Sequence, residues 1–215
     1  MKIPELSLYL ITDRHQTLGR NLLTVLEEAI RGGVRAIQLR EKDLSARELY
    51  TLAQEVRKLT EMAGVKLFIN DRVDVALAIE ADGVHLGQQS LPPHVVRRLI
   101  GNKLLGVSTH NLQEALQAQD SGVDFITFGP LFFTPSKAPY GKPVGLEALK
   151  EVRKFISVPI LGLGGIKKDS VREVLLAGAD GISVISAILC ASDVYQAAKE
   201  LTEVVLSQRR EIAKS

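Results

Sequence analysis

Tryptophan is absent from this 215-residue sequence, cysteine occurs once, and aromatic residues make up only 5% of the chain. The lone Cys190 excludes an intramolecular disulfide, and without a cluster of cysteine and histidine ligands it does not suggest a structural zinc site. A small buried apolar residue is the expectation there. No uncharged apolar run approaches the about 18 residues that a membrane-spanning helix needs, and Pro4 and Glu5 interrupt the pattern of a secretory leader. An excess of one charge sign is also lacking. The 27 Lys and Arg are set against 25 Asp and Glu, a formal net charge of +2, so no broad basic surface for nucleic acid is expected. A cytoplasmic protein follows, with neither nucleic acid nor membrane among its partners.

What is present is apolar patterning. With 46% hydrophobic residues, one domain spanning residues 1–215 has side chains enough for a substantial core. Short β-branched runs predict strands at 8–11, 36–39, 66–69, 83–86, 104–107, 125–128, 159–163 and 181–184. Between them, apolar residues recurring at three and four predict helices such as 22–31, 46–62, 112–119, 146–154, 171–176 and 195–206. Strand–helix repetition implies an α/β fold with parallel pairing, and eight units favour a single (βα)8 TIM barrel over an open sheet. A weak internal repeat agrees: Gly33-Val34-Arg35, Gly122-Val123-Asp124 and Gly178-Ala179-Asp180 each place a helix-ending glycine and a turn residue before a strand. The charged tail after Leu206 is expected to fray.

Polar clusters follow several of these strands. In the second, alternation sends Ile37 and Leu39 to one face and Gln38 and Arg40 to the other, with Lys42 continuing that parity. A planar guanidinium and a mobile ammonium together suit a polyanion such as pyrophosphate, although pairing with the adjacent Glu41 and Asp43 would equally explain them. Asn70-Asp71 follows the third strand, where a carboxylate beside an amide can hold Mg²⁺ or cap the helix expected at 73–79. Thr134, Ser136 and Lys137 lie in a long Pro- and Gly-rich loop, 130–145, whose hydroxyls and ammonium suit phosphate, although a plain flexible loop would equally explain them. Gly164-Gly165 after the seventh strand and Ile185-Ser186 after the eighth occupy the recurrent phosphate place of such barrels. Of the four histidines, His110 beyond the fifth strand is a candidate proton carrier or a helix-start residue; His85, within the fourth strand, suits a structural role; His15 and His94 suit loop or surface positions.

As an ordered set, these residues resemble the thiamine phosphate synthase and thiazole tautomerase superfamily. The match runs from Tyr9-Leu10-Ile11-Thr12-Asp13 through Gln38 to Lys42, Asn70 to Asp74, Gly83 to Gly87, Gly129-Pro130, Thr134 to Lys137 and Gly164 to Ile166, ending at Ile185-Ser186. The resemblance implies a place in thiamine biosynthesis, with phosphorylated small molecules as substrates; a homo-oligomer is compatible with it. Carried over by position, it puts Gln38 and Ser108 near an aminopyrimidine and Arg40, Lys42, Asn70 and Lys137 on pyrophosphate. Asp71 would hold Mg²⁺, and Thr134, Ser136, Gly165, Ile185 and Ser186 would surround a thiazole phosphate. Ser90 stands where the synthases usually carry a second metal-binding aspartate. That departure, with Ser90-Leu91-Pro92 and the run Ser136 to Gly141, also resembles the tautomerase branch, which moves a proton on a thiazole carboxylate phosphate without metal and for which His110 would be the carrier. Retention of Arg40, Lys42, Asn70, Asp71 and Lys137 favours the synthase; a non-catalytic sensor of thiazole phosphate or thiamine phosphate would share the same binding residues.

Overall fold

Eight parallel strands hydrogen-bond in sequence order and close on themselves. They are β1 (Leu8–Ile11), β2 (Ala36–Leu39), β3 (Lys66–Asn70), β4 (Gly83–Leu86), β5 (Leu104–Thr109), β6 (Phe125–Phe128), β7 (Ile160–Leu163) and β8 (Gly181–Val184). This computed structural model describes residues 6–134 and 141–214. The helices on the outside are α1 (Leu22–Arg31), α2 (Ala46–Met62), α3 (Val73–Ala78), α4 (Pro93–Ile100), α5 (Leu112–Asp120), α6 (Gly145–Arg153), α7 (Val171–Leu176), α8 (Ser186–Leu189) and α9 (Val194–Ile212).

Strand alternation divides the apolar residues into two cores. Ile37, Leu39, Leu67, Ile69 and Val84 face outward and pack under the helices. Tyr9, Ile11, Ala36, Phe68, Phe125 and Leu161 face inward and plug the barrel. Within the plug, the rings of Tyr9, Phe68 and Phe125 meet edge to face in pairs, with centroids 5.4 to 5.6 Å apart, a geometry worth about 0.5–1.5 kcal/mol per pair beyond burial. Gly106 of β5 makes the room. A Cβ there would fall 2.4 Å from the Phe125 ring.

Helix α4 lies where no element was assigned from sequence; proline suits its first turn, and Val96 and Ile100 bury one face. Two sequence expectations are corrected. The chain beyond Leu206 does not fray among the described residues. It continues α9 to Ile212, held where Arg209 donates to Ser7 Oγ and Arg172 pairs with Glu211 at 3.0 Å. Cys190 is exposed rather than buried, because it follows α8 at the rim, where its thiol donates to the Gln16 carbonyl at 3.2 Å.

The face of the barrel formed by the strand N-termini carries a recurring ionic clasp. Asp82, just before β4, accepts from Arg57 of α2 at 2.8 Å, Lys66 at 2.9 Å and the Leu67 N–H at 3.0 Å. Asp124, before β6, accepts from Arg97 of α4 at 2.6 Å and the Leu105 N–H at 2.7 Å. Asp180, before β8, accepts from Arg153 of α6 at 3.0 Å and the Ile160 N–H at 2.8 Å. Each carboxylate thus ties a helix to two neighbouring strands. Burial pushes the Asp82 carboxyl up, but the Leu67 N–H, Lys66 and Arg57 outweigh it and hold its pKa below the ordinary 3.8.

Because the folded value is depressed, the stabilisation from Asp82 is present above pH 3.8 and is lost as pH falls through the folded value. Asp82→Asn should lower stability at neutral pH by about 1–3 kcal/mol and flatten the acid decline, both measured by urea unfolding at stepped pH. An unchanged acid limb would show that the clasp does not titrate as argued.

Candidate functional site

The polar residues singled out along the strands, so far as they are described, lie toward one end of the barrel, the mouth formed by the strand C-termini. Gln38 is 1% exposed inside β2, and Arg40, one step beyond that strand, is half-buried. Their neighbours decide what Arg40 is free to do. Glu41, only 6% exposed, accepts from the Thr12 hydroxyl at 2.6 Å and from the Arg14 backbone and guanidinium, each at 3.1 Å. Asp43 is taken by both guanidinium nitrogens of Arg14, at 2.5 and 2.6 Å, and by His15 at 2.9 Å. Arg14 first, and then His15, hold the Asp43 carboxyl well below the usual carboxylate range. Pairing of Arg40 and Lys42 with these acids is therefore excluded by the loop after β1. Among the described residues neither Arg40 nor Lys42 has a side-chain hydrogen bond or ion pair.

Across the mouth, Asn70 ends β3 and donates to Asp71 Oδ2 at 2.8 Å. Asp71 adopts a left-handed backbone, φ 59°, which aspartate tolerates better than most residues. That turn aims its other oxygen at the loop after β4, where it accepts from the Ser90 hydroxyl and lies 3.4 Å from the Gly87 N–H. The helix-cap alternative for this pair is not what occurs. Helix α3 starts after Arg72 with no side-chain cap. One carboxylate, one amide and one hydroxyl converge here, while no group of three or more His, Cys, Asp or Glu suited to a metal exists among the described residues. This donor set fits an ion like Mg²⁺, which keeps waters and shares phosphate oxygens, and does not fit a cation caged by protein alone.

Beneath these groups runs a buried polar chain that sequence reasoning missed. Gln38 Nε2 donates to the Tyr9 hydroxyl at 3.3 Å, and that hydroxyl lies 3.4 Å from His85 Nδ1. His85 Nε2 lies 2.9 Å from the Ser108 hydroxyl, which also accepts from Thr127 Oγ1 at 3.3 Å. Burial drives the His85 pKa down to about 3; the nearby Asp71 charge opposes this and the Arg40 charge adds to it. The ring is neutral at any physiological pH. His85 is thus a satisfied structural histidine, as its place within a strand suggested, but it also touches Ser108. Its inward parity, shared with Gln38 and Arg40, was the available signal.

His110, by contrast, is exposed at the start of α5, its ring and backbone N–H both held by Glu114 at 2.9 and 2.8 Å. Of its two sequence readings, the helix-start role is the one seen.

The remaining loops complete the rim. Leu131 N–H donates to Leu163 O at 2.8 Å and Phe132 N–H to Gly164 O at 3.0 Å, so the segment leading to Thr134 is stitched to the loop after β7. Gly165 is required at that seam. Its φ is 68°, and a Cβ would fall 2.8 Å from Phe132. Ile185 precedes α8 and Ser186 opens it, on the adjoining loop after β8. Ser136 and Lys137 lie outside the described residues.

The profile of the family described as thiamine monophosphate synthase matches residues 8–188. The chain belongs to that family. A putative thiamine-phosphate synthase of Geobacter sulfurreducens is 51% identical over 208 residues, covering 96% of this chain and 98% of that protein. The thiamine-phosphate synthase of Chloroflexus aurantiacus is 50% identical over 198 residues, covering 92% of each. The solved thiamine phosphate pyrophosphorylase of Pyrococcus furiosus, 39% identical, superposes with a TM-score of 0.88 over 96% of this chain and 98% of its own.

In this member of the thiamine monophosphate synthase family, the His85 ring resonances should stay constant by NMR between about pH 5 and 8. A midpoint near the ordinary 6.5 would contradict the burial argument.

Proposed function

We propose that this chain is a thiamine-phosphate synthase, a single-domain cytoplasmic barrel that couples hydroxymethylpyrimidine pyrophosphate with hydroxyethylthiazole phosphate to give thiamine phosphate and pyrophosphate. The observation that carries the reading is that Arg40 and Lys42, in the loop after β2, have no side-chain partner among the described residues, because the local acids Glu41 and Asp43 are claimed by Arg14. Cations that fold-internal carboxylates cannot neutralise are available to an anionic leaving group.

In this reading the pyrimidine ring sits over the buried polar chain, with Gln38 and Ser108 hydrogen-bonding its amino and ring nitrogens. Tyr9 and the neutral His85 keep those two side chains oriented. The bond between the pyrimidine methylene carbon and the pyrophosphate oxygen breaks, and both electrons leave with pyrophosphate. Arg40, Lys42, Asn70 and Lys137 receive that developing charge, the kind of preorganised stabilisation worth about 10²–10³ in rate per donor. Asp71, with Ser90 beside it, would hold Mg²⁺, which when bound neutralises further phosphate charge. The thiazole nitrogen, placed by Thr134, Ser136, Gly165, Ile185 and Ser186 around its phosphate, then donates its lone pair to the pyrimidine cation. No protein nucleophile and no proton carrier is required, consistent with an engaged His110.

The tautomerase reading draws on Ser90-Leu91-Pro92 and the run Ser136 to Gly141, with His110 as its proton carrier. The two are separated by a single pair of assays. A synthase releases pyrophosphate from the two substrates with Mg²⁺, and does not isomerise a thiazole carboxylate phosphate in the presence of chelator; the reverse result would establish the tautomerase, and tight binding without either turnover the sensor. Within the synthase, Lys42→Ala should reduce kcat by about 100-fold or more with little change in KM for the thiazole phosphate. Equal losses in both would place Lys42 elsewhere. Ser90→Asp should lower the Mg²⁺ concentration for half-maximal turnover by about tenfold; an unmoved requirement would show that position 90 does not face the ion.

A further inference from the structure

The ionic clasps on the opposite face of the barrel define a pattern of four corners, of which one is incomplete. At three corners an aspartate precedes an even-numbered strand, accepts from an arginine of the helix that precedes the neighbouring odd-numbered strand, and caps an N–H of that odd-numbered strand. The residue in register with Asp82, Asp124 and Asp180 at the fourth corner, before β2, is Arg35. The matching helix arginine is Arg209 of α9, which is present and reaches Ser7 Oγ. The matching strand N–H is that of Leu8, which has no side-chain acceptor among the described residues. Arg35 itself turns back to the carbonyls of Ile30 and Val34, at 3.1 and 2.9 Å. This corner therefore has the arginine and the strand N–H common to the other three, plus a second guanidinium, and no carboxylate acceptor among the described residues. Neither Arg35 nor Arg209 forms an ion pair with any described residue.

Space is left where the carboxylate would be. A cavity of about 50 Å³ is lined by Ser7, Leu8, Gly33, Arg35, Thr202, Val205 and Leu206, and Arg209 adjoins it through its bond to Ser7. Thr202 Oγ1 is buried there without a hydrogen-bond partner. An orphaned buried hydroxyl is costly to leave unmade, and the volume exceeds the roughly 30 Å³ share of one water. Gly33 keeps the cavity open, since its Cβ position would fall 3.0 Å from Thr202 Oγ1.

We infer that the corner between β1, β2 and α9 is a binding site for a small carboxylate-type oxyanion, which takes the place that aspartate occupies at the other three corners. One oxygen bridges the Arg35 and Arg209 guanidiniums, and the other meets the Thr202 hydroxyl and the Leu8 N–H. The site lies at the far end of the barrel from the mouth, so it is independent of the phosphate-binding residues.

The test is thermal unfolding of the full chain in sodium acetate against sodium chloride at matched ionic strength and pH. Acetate should raise Tm by about 2–4 °C at several times its Kd. Arg35→Asp supplies the carboxylate from the chain itself, and should raise Tm in chloride while abolishing the acetate response. Thr202→Val, which leaves both arginines, should weaken the acetate response at least severalfold, and the Leu8 amide resonance should move with acetate in the unmodified protein but not in Arg35→Asp. Equal acetate effects in all three proteins, or a Leu8 amide indifferent to acetate, would overturn the inference. So would an Arg35→Asp protein that folds but is less stable than the parent and still responds.

Discussion

A closed parallel barrel gives its inward side chains one direction in which to be polar. Eight strands running the same way send all their C-termini to one rim, and the interior below that rim is dry, filled by Tyr9, Phe68, Phe125 and Leu161. Most polar residues on the inward parity either find a buried partner or reach the mouth; Ser183 of β8 is the exception among the described residues, its buried hydroxyl left without a partner. Gln38, Tyr9, His85, Ser108 and Thr127 take the first course and form one connected chain. Arg40, Asn70 and Asp71 take the second. The site is the upper surface of this plug, and its polarity follows from the parity of the strands.

Electrostatics at the mouth depends on a second constraint, the sequestering of acids that adjoin the cations. Glu41 and Asp43 flank Lys42 in sequence, yet Thr12, Arg14 and His15 between them hold both carboxylates. The cost of burying Glu41 is offset because it is fully hydrogen-bonded. What results is a pair of cations, Arg40 and Lys42, without side-chain partners among the described residues, in a protein whose net charge is only +2. The field that a phosphate would meet is made by geometry rather than by composition.

The two ends of the barrel divide their tasks. At the strand N-termini, Asp82, Asp124 and Asp180 satisfy backbone donors and pin helices, which is structural work. At the C-termini, loops carry Arg40 and Lys42, whose side chains have no hydrogen bond or ion pair among the described residues. This separation lets the mouth hold unpaired charge and the left-handed Asp71 without undermining the barrel, because the stabilising contacts lie elsewhere. The corner at Arg35 departs from that division, since there the structural face itself carries unneutralised donors.

Period-two and helical spacing were enough to place all eight strands, the barrel class, and the parity that sets Gln38 and Arg40 apart from Ile37 and Leu39. These are local properties, dictated by backbone geometry and apolar patterning. The glycine repeat was equally legible: Gly33, Gly122 and Gly178 all take positive φ. The helix after Pro92 and the continuation of α9 past Leu206 were not legible, because each depends on what the helix packs against. The same holds for the partners of charge. In sequence, Arg40 and Lys42 sit beside Glu41 and Asp43, and nothing local says that Arg14, on a different strand's loop, will take those acids. Likewise Asp71 could cap its own helix, and only closure of the barrel brings Ser90 within its reach. Sequence thus determined which residues could do chemistry and on which face they lie; the tertiary structure decided which of them are left unpaired, because pairing is settled by neighbours that are distant along the chain.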